Sequence, residues 1–169
     1  PDVTGFETDM PVFGVTRFGG YATHVCVPRH QLYPIAPASK YTSDQWAAFP
    51  AVYLSASYGL FHNIVLRPGM RILVHSAAGG VGGALLQLGN IADCHMTAVV
   101  GASHKVDIAR ELGAHVVIDK SRQDLWNQAK RACPQGFNVI FDANGPATLK
   151  QSYRHLAPSG KLVSYGFHA

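Results

Sequence analysis

The sequence predicts an α/β fold: a doubly wound parallel sheet, incomplete, preceded by the C-terminal remnant of a β domain. Three observations carry this. From Met70 onward, five short apolar runs alternate with helical segments. The first run feeds a helix through a turn that holds Gly79, Gly80, Gly82 and Gly83. Ahead of Met70 lie short runs rich in β-branched and aromatic residues, too few to close a sheet by themselves.

In chain order, Pro11–Val15, Gly19–Val27 and Gln31–Ala36 read as strands, divided by the turn chemistry of "TRFGG" and "PRH". Thr42 and Gln45 have capping-box spacing, and "DQWAAF" runs from them as a helix up to Pro50. Pro50 then opens a second helix, "AVYLSASYGLFHNIV", at a position where its missing N–H costs nothing. "RPG" turns the chain into the alternating region.

There the expected strands are "RILVHS", "MTAVVG", "AHVVID", "FNVIFDA" and "GKLVSYG", with helices over Val81–Cys94, Lys105–Leu112, Gln123–Ala132 and Pro146–Leu156. Val81, Ala84, Leu85, Leu88 and Ile91 recur on one helical face. Strands and helices of these lengths form right-handed β-α-β units, and nearly all-apolar strands suit a sheet covered on both faces. The organisation expected is residues 1–41 as β remnant, 42–69 as connecting helices and 70–169 as the α/β domain.

Composition excludes several classes. The chain has 169 residues, 47% of them hydrophobic, and a net charge of +4 from scattered basic residues. Without a Lys/Arg stripe, no nucleic-acid surface is expected. No run reaches the ~18 apolar residues that span a bilayer, and the N-terminus lacks the pattern of a signal peptide. Cys26, Cys94 and Cys133 are widely spaced and odd in number, so neither a disulfide framework nor a zinc knot is supported; a reducing, cytoplasmic setting follows. Nine histidines show no pair with ligand spacing and a third ligand, so no metal site is expected.

The glycine turn points to a ligand. A helix N-terminus carries free N–H groups and a partial positive charge, and a glycine turn lets a pyrophosphate approach them. Gly79 and Gly80 allow that approach and Gly82 lets the helix lie against its strand, while Ala77 takes the front position of the pattern. About 20 residues on, an NAD site places an acid for the ribose hydroxyls. None occurs between Thr97 and Val106; Ser103, His104 and Lys105 stand there instead, chemistry that suits a 2′-phosphate. The expected cofactor is NADPH. His75, beside the turn, reads as a diphosphate contact or as a hydrogen-bonded structural histidine.

"LRPGMRILVHSAAGGVGGALLQLG", "ARELGAHVVID" and "GKLVSYG" resemble the zinc-independent quinone-oxidoreductase branch of the medium-chain dehydrogenase/reductase superfamily, near its VAT-1-like and zeta-crystallin-like members. The resemblance runs from about Val12 to Gly166. It implies a Rossmann doubly wound parallel sheet (incomplete) preceded by the C-terminal remnant of a GroES-like β domain. It also implies NADPH-dependent hydride transfer to a quinone or an α,β-unsaturated carbonyl. Carried over by motif, Tyr53 and Ser55 fall near the nicotinamide, with Ser55 replacing a threonine. Ala78, Gly79, Gly80 and Val81 match the diphosphate cradle, with Gly82 behind them as the close-packing glycine of the same cofactor site. Ser103 and Lys105 match the 2′-phosphate contacts, with His104 between them counted among the cofactor-binding residues, and Asn144 with Gly145, and Gly166 with Phe167, match loops that face the nicotinamide half.

Tyr53 reads either as a hydrogen-bond donor to the substrate oxygen or as cleft lining; no catalytic acid is assigned. The departures are the length, about half of a full member, the "TDMPV" turn, and an end before a sixth strand, so the chain is expected to be a fragment. The sheet edge at which family members dimerise would follow Ala169. Two other readings stay open: a non-catalytic nucleotide-binding module that acts through a protein partner, and the enoyl-reductase module of a polyketide synthase.

Overall fold

The structure is a computed structural model and describes residues 4–166. By its internal contacts the chain divides into two compact units, Pro1–Val52 and Tyr53–Ala169.

The first unit is small. Strands β1 (Val12–Gly14) and β2 (Leu32–Pro34) pair antiparallel, with Phe13 opposite Tyr33. Gly14 is required there: a Cβ would strike the Gln31 carbonyl oxygen and lie 3.0 Å from a Leu32 methyl. Trp46 stacks on Phe13 at 4.7 Å between ring centroids and donates its indole N–H to Ser39 Oγ at 2.9 Å.

Two expectations are corrected in this region. Gly19–Val27 is not a strand: no described segment pairs with it, and an extended segment without a partner gains no ladder hydrogen bonds. Helix α1 (Ser43–Ser57) is continuous, with Pro50 in its interior rather than at the start of a second helix. The Pro50 ring is buried, and that burial offsets the missing backbone hydrogen bond. The capping box forms as expected: Thr42 N–H donates to Gln45 Oε1 at 2.9 Å, and Gln45 N–H to Thr42 Oγ1 at 3.3 Å. A π-helical turn, Tyr58–His62, extends α1.

The second unit holds a five-stranded parallel sheet: β3 (Arg71–Val74), β4 (His95–Val100), β5 (Val116–Asp119), β6 (Phe137–Asp142) and β7 (Leu156–Ser164), in the order β5-β4-β3-β6-β7. Helices α2 (Gly80–Ile91), α3 (Val106–Glu111), α4 (Leu125–Ala132) and α5 (Leu149–Arg154) join successive strands. Leu73 pairs with Thr97 on one side and Ile140 on the other, so β3 is central.

Helices cover both faces, which is why Met96–Val100 is buried without alternation. One core joins Leu73, Val99, Ile118, Phe137 and Ile140 to Leu125 and Ala129 of α4. Each such large side chain contributes roughly 1.5–3 kcal/mol by leaving water. α2 packs close because Gly89 has no side chain: a Cβ there would lie within 2.6 Å of Met96 Cε. The last strand begins earlier than "GKLVSYG" suggests, at Leu156, because "PSG" forms a bulge inside β7 rather than its boundary. Phe137 pairs with Leu156, and Val139 already with Lys161.

Candidate functional site

All five parallel strands point their C-terminal ends at one edge of the sheet, and the loops that follow gather there. In an open α/β sheet this crevice, where the strand order reverses about β3, is the usual ligand position. The loop after β3 is tied down by backbone hydrogen bonds. His75 N–H donates to Phe141 O at 2.9 Å, Ala77 N–H to Val99 O at 3.1 Å and Gly79 N–H to Ser76 O at 2.9 Å. Ser76 adopts a left-handed backbone, φ 50°. That conformation is uncommon outside glycine and turns the Ser76 carbonyl toward the helix that follows.

The glycines of this loop differ in role. At Gly82 a Cβ would collide with the Ser76 carbonyl oxygen and lie 2.8 Å from Ala77 Cα. At Gly79 the nearest atom would be Ser76 O at 3.2 Å, a contact that needs only a small adjustment. Gly82 is buried, whereas Gly79 and Gly80 are exposed. Gly79 is the N-cap of α2 and no side chain caps that turn, so the first N–H groups of α2, with Val81 half-buried among them, are open to an anion.

A cavity of about 190 Å³ lies against this loop, lined by Ser76, Ala78 and Gly79 together with Gly101, Lys105 and Lys120. Lys105 follows β4, in the 3-10 turn Ser103–Lys105. Lys120 follows β5, its N–H donating to Val100 O at 3.0 Å. Nothing local in the sequence marks Lys120; the pairing of β5 with β4 brings it beside Lys105.

Ser103 lies next to these lysines, and its hydroxyl donates to Asp119 Oδ2 at 2.6 Å. Ser121 donates to the other oxygen from both its hydroxyl, at 2.6 Å, and its N–H, at 2.9 Å. Hydrogen bonds from Ser103 and Ser121 hold the Asp119 carboxyl below the usual carboxylate range against the opposing effect of burial. His104 is exposed in the same turn.

A second polar cluster lies beneath the loop. Asp142, at the end of β6, is fully buried and accepts from Asn144 N–H (2.9 Å), Gly145 N–H (3.1 Å), Thr148 Oγ1 (2.8 Å) and Ser152 Oγ (2.6 Å). Burial alone would raise its pKa; the hydrogen bonds from Ser152, Thr148 and Asn144 outweigh it and keep the carboxylate charged. His75, also fully buried, lies 3.7 Å from Asp142, and burial lowers its pKa from 6.5 to about 4 despite that neighbour. Tyr165 donates its hydroxyl to the His75 carbonyl oxygen, and burial raises its pKa, so it keeps its proton.

The residues expected near a nicotinamide come from α1 and from the segments after β6 and β7. Tyr53 donates its hydroxyl to Gln87 Oε1 of α2 at 2.7 Å, so its proton is engaged within the protein. Ser55 is on the exposed part of α1. Asn144 is 8% exposed at the end of β6. Gly166 closes against Ala143, whose carbonyl oxygen would lie 3.2 Å from an added Cβ. Phe167 lies outside the described residues. Among the described residues no group of three or more His, Cys, Asp or Glu side chains is placed to hold a metal ion, and no helix is long and apolar enough to cross a membrane.

The parallel sheet, its strand order and the glycine turn that opens α2 define the Rossmann class of α/β domain. Within that class, the profile of the zinc-binding dehydrogenase family matches residues 80–169, and the chain belongs to this family.

Its relatives bear out the resemblance to the medium-chain dehydrogenase/reductase superfamily. The chain is 33% identical over 92% of its length to the synaptic vesicle membrane protein VAT-1 homolog of Rattus norvegicus, of which it covers 38%. It is 34% identical over 98% of its length to the quinone oxidoreductase-like protein 2 homolog of Nematostella vectensis, covering 45% of it. With the 2-haloacrylate reductase of a Burkholderia species it shares 29% identity over 98% of the chain and 55% of that protein. The quinone oxidoreductase of Thermus thermophilus, solved also in complex with NADPH, superposes with a TM-score of 0.82 at 27% identity, over 92% of this chain and 50% of that one. The chain thus spans about half the length of these relatives or less.

Proposed function

We propose that the chain is the cofactor-binding part of an NADPH-dependent oxidoreductase that reduces a quinone or an α,β-unsaturated carbonyl compound. The cavity lined by the glycine loop and by Lys105 and Lys120 carries this reading. Gly79 leaves bare backbone for a diphosphate, and Lys105 and Lys120 supply two cations for a ribose 2′-phosphate. The relatives support the chemistry: a quinone oxidoreductase solved with NADPH, and a reductase of a haloacrylate, whose double bond is conjugated to a carboxyl group.

The residues present fit the cofactor. Gly82 lets α2 start directly beneath β3, and Gly79 and Gly80 leave its first N–H groups uncovered for the diphosphate. Lys105 and Lys120 neutralise the 2′-phosphate, with Ser103 held beside them by Asp119. Bound there, NADPH supplies a hydride to the substrate. The chain's own part is to bind, orient and desolvate. Tyr53 keeps its hydroxyl on Gln87, and Tyr165 keeps its own on the His75 carbonyl, so both act as fixed structural donors. The unit that holds β1 and β2 is read as the edge of a GroES-like domain.

Titration of NADPH and NADH into the wild-type protein and Lys105→Ala tests the reading. NADPH binds more tightly than NADH in the wild type, and Lys105→Ala removes most of that difference. Equal affinities of the wild type for the two would overturn it.

A further inference from the structure

His75 has no direct part in the cofactor cavity, yet every polar atom it carries is engaged. Its N–H donates to Phe141 O at 2.9 Å and its carbonyl accepts from the Tyr165 hydroxyl. Its ring Nδ1 lies 3.3 Å from Asn144 Nδ2, and its Nε2 lies 3.2 Å from Ser152 Oγ. Only one arrangement of protons satisfies all of these. An amide nitrogen can only donate, so Nδ1 accepts from Asn144. Burial keeps the ring neutral, so its single proton is on Nε2 and is donated to Ser152 Oγ. Ser152 donates its own proton to Asp142 Oδ2, 2.6 Å away.

The chain of donors therefore has a direction, from Asn144 through His75 and Ser152 to Asp142, and it spans the ends of β3 and β6 and the helix α5. Its other end reaches the cavity. Asn144 Oδ1 lies 3.5 Å from Ser76 Oγ, and Ser76 is at once the next residue after His75, a wall of the cavity and the left-handed residue against which Gly79 and Gly82 pack.

We propose that His75, fixed as its Nε2–H tautomer by Ser152 and Asn144, is a positioning residue that holds Ser76 and the glycine loop in the shape that receives the dinucleotide before it arrives. The inference rests on the NADPH reading above and deepens it. His75 is fully buried and does not line the cavity; it acts by removing the freedom of the residue that follows it. A preformed loop lowers the ordering cost of binding, so loosening it weakens affinity even though every group that meets the dinucleotide is still present.

Ser152→Ala and Tyr165→Phe, each measured in the full chain, test this. Ser152→Ala removes the acceptor of the His75 Nε2 proton, and Tyr165→Phe removes the hold on its carbonyl. In the wild type, 15N spectra of the ring show a protonated Nε2 and a bare Nδ1; in Ser152→Ala Asn144 still donates to Nδ1, and the Nε2–H resonance shifts because its acceptor is gone. NADPH dissociation constants of the folded variants rise about tenfold, the factor expected for one buried hydrogen bond. Ser152→Thr, which keeps the hydroxyl, retains the wild-type ring spectrum and recovers affinity. A purely structural role would lower the melting temperature and leave the affinity of the folded protein unchanged. Should Ser152→Ala fail to fold, Tyr165→Phe carries the affinity test. NADPH affinity within twofold of wild type in the folded variants, or an Nδ1-protonated ring in the wild type, would overturn the inference while the NADPH reading stands. A wild type that binds no NADPH overturns the reading and this inference with it.

Discussion

The carbonyl oxygen of Ser76 occupies the space that a side chain at residue 82 would need. Ser76 can present it there only from a left-handed backbone, and α2 can start there only because Gly82 is bare. The loop and the helix are thus fitted to each other by a serine that accepts strain and a glycine that accepts contact.

This relationship separates two glycines that look alike in sequence. Gly82→Ala forces the backbone at Ser76 and Ala77 to move and lowers stability by about 1–3 kcal/mol, the usual cost of overpacking, as read by chemical denaturation. At Gly79 an added Cβ meets only the Ser76 carbonyl oxygen, at 3.2 Å, and the position is exposed, so the melting temperature of Gly79→Val stays near that of the wild type. Its branched side chain instead covers the first N–H groups of α2, and NADPH binding by titration is lost. Gly79→Val binding NADPH with unchanged affinity would argue against the cradle.

Lys120 is expected to share the phosphate with Lys105. Lys120→Ala raises the NADPH dissociation constant by about tenfold or more, in line with a hydrogen bond to a charged group, and leaves NADH binding nearly unchanged. Because two cations meet one anion, added salt weakens NADPH binding in the wild type more than in either single variant. Isothermal titration at low and high ionic strength reads both effects.

Buried His75 makes the fold sensitive to acid. Its pKa falls from 6.5 in the unfolded chain to about 4 in the folded protein, so between those values the unfolded state binds the proton that the folded state excludes. Stability is therefore full above about pH 6.5 and declines as the pH falls toward 4, by about 3 kcal/mol across the window. Asp142, whose carboxyl is held below its usual value, contributes stability that is lost only at lower pH still, as the carboxylate itself takes up a proton. Denaturation curves at pH 7 and pH 4.5 measure the slope. His75→Gln, which cannot take up a proton, flattens it even if its stability at pH 7 is lower.

In the N-terminal unit, Thr42→Ala removes the hydroxyl that receives Gln45 N–H at 3.3 Å. Loss of an N-cap side chain costs about 1 kcal/mol. A fall in helical circular dichroism on heating, at lower temperature than in the wild type, is the expected sign; Thr42→Ser restores the wild-type curve.

The features legible in the sequence are those with local causes. Thr42 and Gln45 announce a cap by their spacing, and both of its hydrogen bonds form. The strand–glycine–helix order around Gly79 gives the parallel sheet its first turn, and the apolar runs mark all five of its strands. What escaped the sequence depends on partners far along the chain. Lys120 reaches the cavity because β5 pairs with β4, and the tie of Ser103 to Asp119 comes from the same pairing. Asp142, Ser152 and His75 meet only because β6 returns beside β3 and α5 folds back over them. Gly19–Val27 has strand composition, but a strand also needs a neighbour. Pro50 breaks helices in isolation, but its ring is buried here, and that outweighs one missing bond.

The position of β3 also has a kinetic consequence. The strand joins β4 through the next helix, and β4 joins β5 in the same way, so half of the sheet can assemble from successive neighbours as the chain emerges. The other half must wait: Leu73 meets Ile140 only after two strands and three helices have been passed. High contact order slows folding and leaves an open strand edge in the interim. The β3 edge later covered by β6 is where assisted folding, or aggregation, would act first.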